Sequence, residues 1–431
     1  MSCTRILPLL VLGGVLAAAE QGFSIIPSQA IAIYEPNAPI SWTVKATGEG
    51  SVPMNAVTYV LKKGGAQAIA QGTLDLTAGA GTITASLDAP GTILVEVTAK
   101  AKEAGQKDVK ALAGVAVAPR QITPSLPVPD DFDAFWKDKL AELAAVPANP
   151  VLTEAPSERD GVDYWQITMD NIRGTKIRGQ VAKPKKEGRF PALLIVQWAG
   201  VYKLPKNFVT GDAAGGWLVL NLNAHDLPID EQDAFYKQQA DGPLKGYTAI
   251  GNDDREQSYF LRMFLSCARG ADYLASRPDW DGTTLVVAGN SQGGLQSLVA
   301  AGLRPELITA LMVNVPAGCD NTAADAGRAA GWPNWINAGG GKDKAKVHET
   351  ARYFDGMNFA SRVRCPALVG MGLIDTTSRP DGVFAAINSM KGPVELVVMP
   401  EYGHQGKHEA FYKRMGAWKA AMVEGKKAPV Q

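Results

Sequence analysis

From about Phe23 to Pro119, apolar and polar residues alternate in short runs: Ile40–Val44, Val57–Leu61, Gly81–Ala85 and Thr92–Thr98. Turns containing glycine or proline separate them. A period of two belongs to strands with one buried face, and short strands repeated over about 100 residues predict an immunoglobulin-like β-sandwich. Further along, the alternation gives way to unbroken apolar runs at Pro191–Gln197, Thr284–Ala288, Ala367–Gly372 and Val394–Met399. Runs of that kind are strands buried on both faces, as in a parallel sheet covered by helices. Leu295, Leu298, Val299 and Leu303 recur at helical spacing, and Val383–Met390 reads as a second crossover helix. The pattern predicts an α/β domain, with a mostly parallel doubly wound sheet, behind an all-β module. Their expected bounds are 20–118 for the sandwich, 119–128 for a proline-rich linker and 129–425 for the α/β domain.

The run Thr284–Ala288 leads straight into Gly289-Asn290-Ser291-Gln292-Gly293. A strand that turns sharply into a helix through Gly-x-Ser-x-Gly is the nucleophile elbow of α/β-hydrolases. The turn lifts the serine oxygen clear of the sheet, and the N–H of Gln292 then points at a developing oxyanion. In a chain with 45 glycines the pentapeptide alone is weak. The strand before it and the helix after it make it specific.

A serine nucleophile needs a base, and the chain has four histidines: His225, His348, His404 and His408. In this fold the acid and then the base follow the serine on loops after later strands, which removes His225. His348 lies in a charged, helical stretch and reads as a solvated face. His404 follows the strand Val394–Met399 and a short turn, so it is the expected base. His408, four residues on in the first turn of the closing helix, reads as a surface position ahead of the alternative, a neighbour of the site. Asp375 opens the loop after Ala367–Gly372 and is the expected acid. A turn or N-cap aspartate is the commoner role for such a residue, and only the order Ser291, Asp375, His404 outweighs it. The second oxyanion donor is expected from the N–H of Ala199, on the loop after Pro191–Gln197. Trp198 is a candidate substrate contact or a core tryptophan. His225, after another strand, faces the pocket mouth or serves only as a turn histidine.

Lysine plus arginine and aspartate plus glutamate balance at 43 each, with no basic stripe, so neither nucleic acid nor an acidic membrane is an expected partner. Residues 1–19 carry Arg5, an apolar stretch from Ile6 to Ala19 and a small-residue end at Ala17-Ala18-Ala19. They read as a cleaved secretory signal peptide, too short for a comfortable membrane span. An exported product is therefore expected, secreted or periplasmic. Of the four cysteines, Cys3 would leave with the signal peptide; Cys267, Cys319 and Cys365 remain as an odd, widely spaced set that forms no disulfide framework, although one pair in an oxidising compartment stays open. No Cys/His spacing suggests a metal and no glycine-rich loop cradles phosphate, so no cofactor is expected.

From residue 127 to 422 the chain resembles the acetyl xylan esterase and cephalosporin C deacetylase family, carbohydrate esterase family 7. The resemblance rests on Pro129–Trp136, Gln197–Gly200, Tyr259–Phe264, Arg269–Ala271, the elbow, Tyr353–Ala360, Gly372–Asp375, Val383–Asn388 and Tyr402-Gly403-His404. It implies an α/β-hydrolase and a serine esterase that removes acetyl groups from sugars, with Ser291, Asp375 and His404 as the triad. It also implies a homo-oligomer, since family members often form closed hexamers. The chain departs from the pattern in three places. Gln197-Trp198-Ala199 stands where the family usually has His-Gly-Tyr, so Ala199 replaces the tyrosine that lends its N–H. Thr376–Pro380 replaces a proline pair after the acid, and Cys319–Lys346 matches poorly. Two other readings stay open: an esterase or peptidase acting on another substrate, and a carbohydrate-binding protein with an idle hydrolase domain.

Overall fold

The computed structural model of the protein describes residues 21–338 and 341–431. The expected signal peptide lies outside the described residues. The N-terminal module contains strands β1 (Gly22–Pro27), β2 (Ile33–Tyr34), β3 (Ile40–Thr47), β4 (Ala56–Lys63), β5 (Gln67–Asp75), β6 (Gly81–Ala85), β7 (Gly91–Ala99) and β8 (Val109–Val117). They form two sheets, β1-β3-β6 and β2-β8-β7-β4-β5. On β3 the alternation does what its period requires: Ile40, Trp42 and Val44 are buried and the residues between them face outward. They share an apolar core with Val57, Leu61, Ile83, Val95, Val97 and Val115.

The second domain holds β9 (Val151–Glu154), β10 (Val162–Asp170), β11 (Lys176–Pro184), β12 (Phe190–Val196), β13 (Leu218–Leu222), β14 (Trp280–Asn290), β15 (Ala310–Asn314), β16 (Ala367–Gly372) and β17 (Val394–Met399). Their order is β17-β16-β15-β14-β12-β13-β11-β10-β9 in one nine-stranded sheet. From β17 to β13 neighbouring strands run parallel; β11, β10 and β9 join antiparallel at the far edge. The strands of this sheet alternate between two covers. Leu194 and Val287 pack into the core that holds Cys267, Ala271 and Leu298, from the helices Tyr259–Ser276 and Gln292–Leu303. Leu193 and Val286, one residue away, pack with Val209, Ala213, Phe411 and Trp418 of the helices Asn207–Ala214 and Glu409–Val423. Both faces are buried, which is why these strands are continuous apolar runs. Each such side chain contributes about 1.5–3 kcal/mol by leaving water.

The segment between the domains is not a free spacer. After a single 3₁₀ turn at Pro119–Gln121, the carbonyls of Pro119 and Ile122 accept hydrogen bonds from Asn388 Nδ2 at 2.8 and 2.9 Å. The apolar core runs without a break from Ile93, Val95 and Val115 of the module to Met371, Leu373, Val383, Phe384 and Ile387.

Candidate active site

β14 and β12 lie side by side, with Gly289 paired to Val196 at their C-terminal ends. The chain order reverses about this point, which is where open α/β sheets leave a crevice for ligands. Ser291 sits in the crevice with φ 56° and ψ −121°, a conformation L-residues rarely hold, before the helix starting at Gln292. Strain of this kind costs about 1–3 kcal/mol and persists only where surroundings fix it. Here the fixing contacts are visible. A Cβ at Gly289 would collide with the Gly293 backbone, and one at Gly293 would collide with the Val196 carbonyl oxygen. Ser291 N–H donates to the Asn314 carbonyl at 3.0 Å.

His404 bridges the serine and the acid. Its Nε2 is 2.8 Å from Ser291 Oγ and its Nδ1 is 2.8 Å from Asp375 Oδ2. Asp375 is 2 % exposed, and its other oxygen accepts the N–H groups of Thr377 and Ser378, each at 2.8 Å. A buried carboxylate held by three donors keeps one orientation and gives His404 a fixed acceptor. That acceptor holds the proton on Nδ1 and leaves Nε2 free to take the serine proton.

The loop carrying His404 has its own support in His408, which was expected at the surface. It is buried instead: its Nδ1 accepts from Asn314 Nδ2 at 2.9 Å, and its Nε2–H donates to the Gly403 carbonyl at 3.0 Å. The backbone enters the closing helix at His408 in the left-handed conformation, φ 45°, which amphipathic spacing does not reveal. His348 lies on the helix Lys344–Tyr353 with Nε2 2.8 Å from Asp325, and it does not line the cavity.

Ala199 and Ser291 line the same cavity of about 430 Å³. Neither the Ala199 N–H nor the Gln292 N–H has a hydrogen-bond partner among the described residues. Gln292 opens its helix, so its N–H has no intrahelical acceptor and carries the positive end of the helix dipole. The loop bearing Ala199 is tied down by Gln296 Nε2, which donates to the Gln197 carbonyl at 2.8 Å, while on the same helix Gln292 Oε1 accepts from the Tyr247 hydroxyl at 2.5 Å.

His225 is the residue that corrects the sequence expectation of a substrate contact. It does not line the cavity; it is 4 % exposed beneath the loop, with Nε2 on the Gly200 carbonyl at 3.0 Å and Nδ1 on the Tyr259 hydroxyl at 2.6 Å. Burial holds its pKa down at about 4, so the ring stays neutral. Its Nε2–H tautomer donates to Gly200 and accepts from Tyr259. Tyr247 carries no signal in the sequence, and Tyr259 entered only within a segment of family resemblance: their roles in this network come from packing between distant segments.

Trp198 is no core residue. It is 41 % exposed, lines the cavity and stacks on Tyr202 with ring centroids 5.3 Å apart at 22°. The Tyr202 hydroxyl donates to the Trp198 carbonyl at 2.9 Å, which fixes the pair. Trp332 and Tyr412 add further aromatic surface to the rim. Cys267, Cys319 and Cys365 are free and buried, and burial pushes all three thiols up, Cys267 and Cys365 to about 12. No group of three or more metal-ligating side chains occurs among the described residues.

Residues 120–422 match the family model described as acetyl xylan esterase (AXE1). The acetyl esterase Axe7A of Xylanibacter ruminicola is 33 % identical over 305 residues, which span 70 % of this chain and 69 % of that protein. An acetyl xylan esterase from Paenibacillus sp. R4 has a solved structure that aligns with a TM-score of 0.62 at 26 % identity, covering 72 % of this chain and 98 % of that one. Acetyl xylan esterase 1 from Thermoanaerobacterium sp. JW/SL YS485 aligns at 0.61 and 25 % identity, covering 70 % and 96 %. The chain thus belongs to the acetyl xylan esterase (AXE1) family and is a carboxylic ester hydrolase.

Proposed function

We propose that the protein removes acetyl groups from acetylated sugars, xylo-oligosaccharides among them, by a Ser291–His404–Asp375 triad. The observation that carries this reading is the position of His404, 2.8 Å from both the serine and the aspartate. His404 Nε2 takes the Ser291 proton as Oγ attacks the acetyl carbonyl. Asp375 stabilises the imidazolium so formed. The tetrahedral oxyanion lies between the N–H groups of Ala199 and Gln292, where one such donor is worth about 3 kcal/mol. His404 then returns the proton to the departing sugar hydroxyl. Water enters, is deprotonated by the same nitrogen and releases acetate from the acetyl-enzyme.

The sugar would rest on the rim, with the exposed Trp198 ring under one face. An aromatic ring held by a second ring offers a flat apolar platform, and Trp198 on Tyr202 is such a pair. Residues 1–19 act in this reading as an export signal, which brings the enzyme to extracellular or periplasmic polysaccharide. The two-sheet N-terminal module is read as an immunoglobulin-like sandwich.

Acyl-chain profiling on acetylated and butyrylated xylo-oligosaccharides tests the substrate. Acetate release well above butyrate release is expected. Equal rates on the longer or feruloyl esters would count against a deacetylase.

A further inference from the structure

The loop Leu373–Arg379 connects β16 to the helix Pro380–Ser389 and carries Asp375. On one side this loop faces the cavity, where Thr377 is part of the lining. On the other side it meets the N-terminal module. Gly114 of β8 abuts Leu373 so closely that a Cβ there would collide with the Leu373 carbonyl oxygen and lie 2.6 Å from its carbon. The φ of Gly114 is one any residue adopts, so it is the space that requires glycine here.

The contact is not isolated. Thr92 Oγ1 of β7 donates to Asp381 Oδ2 at 2.5 Å, at the start of the helix that follows the loop. The Ala329 N–H donates to the Gly64 carbonyl at 2.9 Å, and three residues later Trp332 N–H donates to Thr377 O at 2.8 Å. Arg379 lies beside Gly65, with Asp375, Asp381 and the module's Glu96 as its charged neighbours; Glu96 pairs with Lys62 at 2.8 Å. The acid loop is thus held between the cavity and the module, and two strands of the module, β7 and β8, together with the turn between β4 and β5, touch it or its immediate flanks.

We propose that the N-terminal module is a positioning element for the triad: β8, through Gly114, braces the Leu373–Arg379 loop so that Asp375 stays in register with His404. The module makes no contact with substrate in this account, and the proposal rests on the triad reading above. Its chemistry is geometric. A catalytic group displaced by about 1 Å by a remote change can cost on the order of 100-fold in rate.

The test uses the full chain, with Gly114→Ala against Gly91→Ala. At Gly91, in β7 of the same sheet, an added Cβ meets nothing within 4 Å. Gly114→Ala is expected to lower kcat on 4-nitrophenyl acetate by roughly 10- to 100-fold, with KM nearly unchanged. Gly91→Ala should match wild type in both. A folded Gly114→Ala protein with wild-type kcat overturns the proposal. If that variant does not fold, Thr92→Val, which removes only the Asp381 hydrogen bond, should show a several-fold loss in kcat with KM nearly unchanged; wild-type kcat there also overturns it. Ser291→Ala in the same assay separates this from the triad itself: activity retained in that variant removes the triad reading whatever Gly114 shows.

Discussion

His225 Nε2 lies 3.0 Å from the Gly200 carbonyl oxygen, so a buried histidine holds the turn next to Ala199, whose N–H is the oxyanion donor proposed above. The Tyr259 hydroxyl donates to the other ring nitrogen, which leaves the proton on Nε2 where Gly200 needs it. His225→Ala should therefore loosen one oxyanion donor and lower kcat by up to about 10²–10³, with little change in KM. His225→Gln, whose amide can still donate to Gly200, should recover part of that loss. Steady-state kinetics on 4-nitrophenyl acetate decide it, and an unchanged kcat for the alanine variant would refute the role.

The same histidine makes stability depend on pH. Unfolded, it takes a proton below the ordinary imidazole value of about 6.5; folded, only below about 4. Between those values the unfolded chain binds more protons, so stability falls as pH falls from 6.5 to 4. That difference corresponds to about 3 kcal/mol. Denaturant midpoints of wild type should decline across that window more steeply than those of His225→Gln.

Asp375→Asn should be far more damaging than its size suggests. The N–H groups of Thr377 and Ser378 require an acceptor, so the asparagine oxygen must face them and its NH₂ must face His404. Nδ1 would then become the acceptor and Nε2 would carry the proton. A loss of about 10⁴ in kcat is expected from the wrong tautomer. Kinetics at neutral pH check it, with circular dichroism to show an intact fold.

Trp198→Ala should separate sugar binding from chemistry. Loss of a stacking platform worth about 0.5–1.5 kcal/mol implies a roughly two- to tenfold rise in KM for acetylated xylo-oligosaccharides. The kcat on 4-nitrophenyl acetate should stay near wild type, since the Ala199 N–H belongs to the backbone. Equal effects on both substrates would place the ring elsewhere in the mechanism.

The elbow could be read from the sequence because its geometry is local: two glycines, a serine, a strand before and a helix after. Asp375 and His404 stand out because each follows an apolar strand on a strand-end loop, and the structure brings both together with Ser291. The antiparallel strands β9–β11 were not legible, since at a sheet edge they lose the continuous apolar run of their buried neighbours. β5 was missed for a similar reason: its residues Gln67–Asp75 are mostly exposed, so no buried face repeats along it. His225, His408 and Gly114 show the sharper limit. Each acts through a contact with a distant segment, on Gly200 and Tyr259, on Asn314, and on Leu373, and nothing in their own neighbourhoods announces it. The sequence pattern also made His408 a surface residue, because a polar stretch around a helix start ordinarily faces water.

The most direct measurement is the turnover of acetylated xylo-oligosaccharides and 4-nitrophenyl acetate by Ser291→Ala against wild type. A loss on the order of 10⁶ in kcat on both substrates, with the fold intact, is the result predicted for the nucleophile. A variant that still releases acetate within about tenfold of wild type would contradict it and move the chemistry away from the elbow.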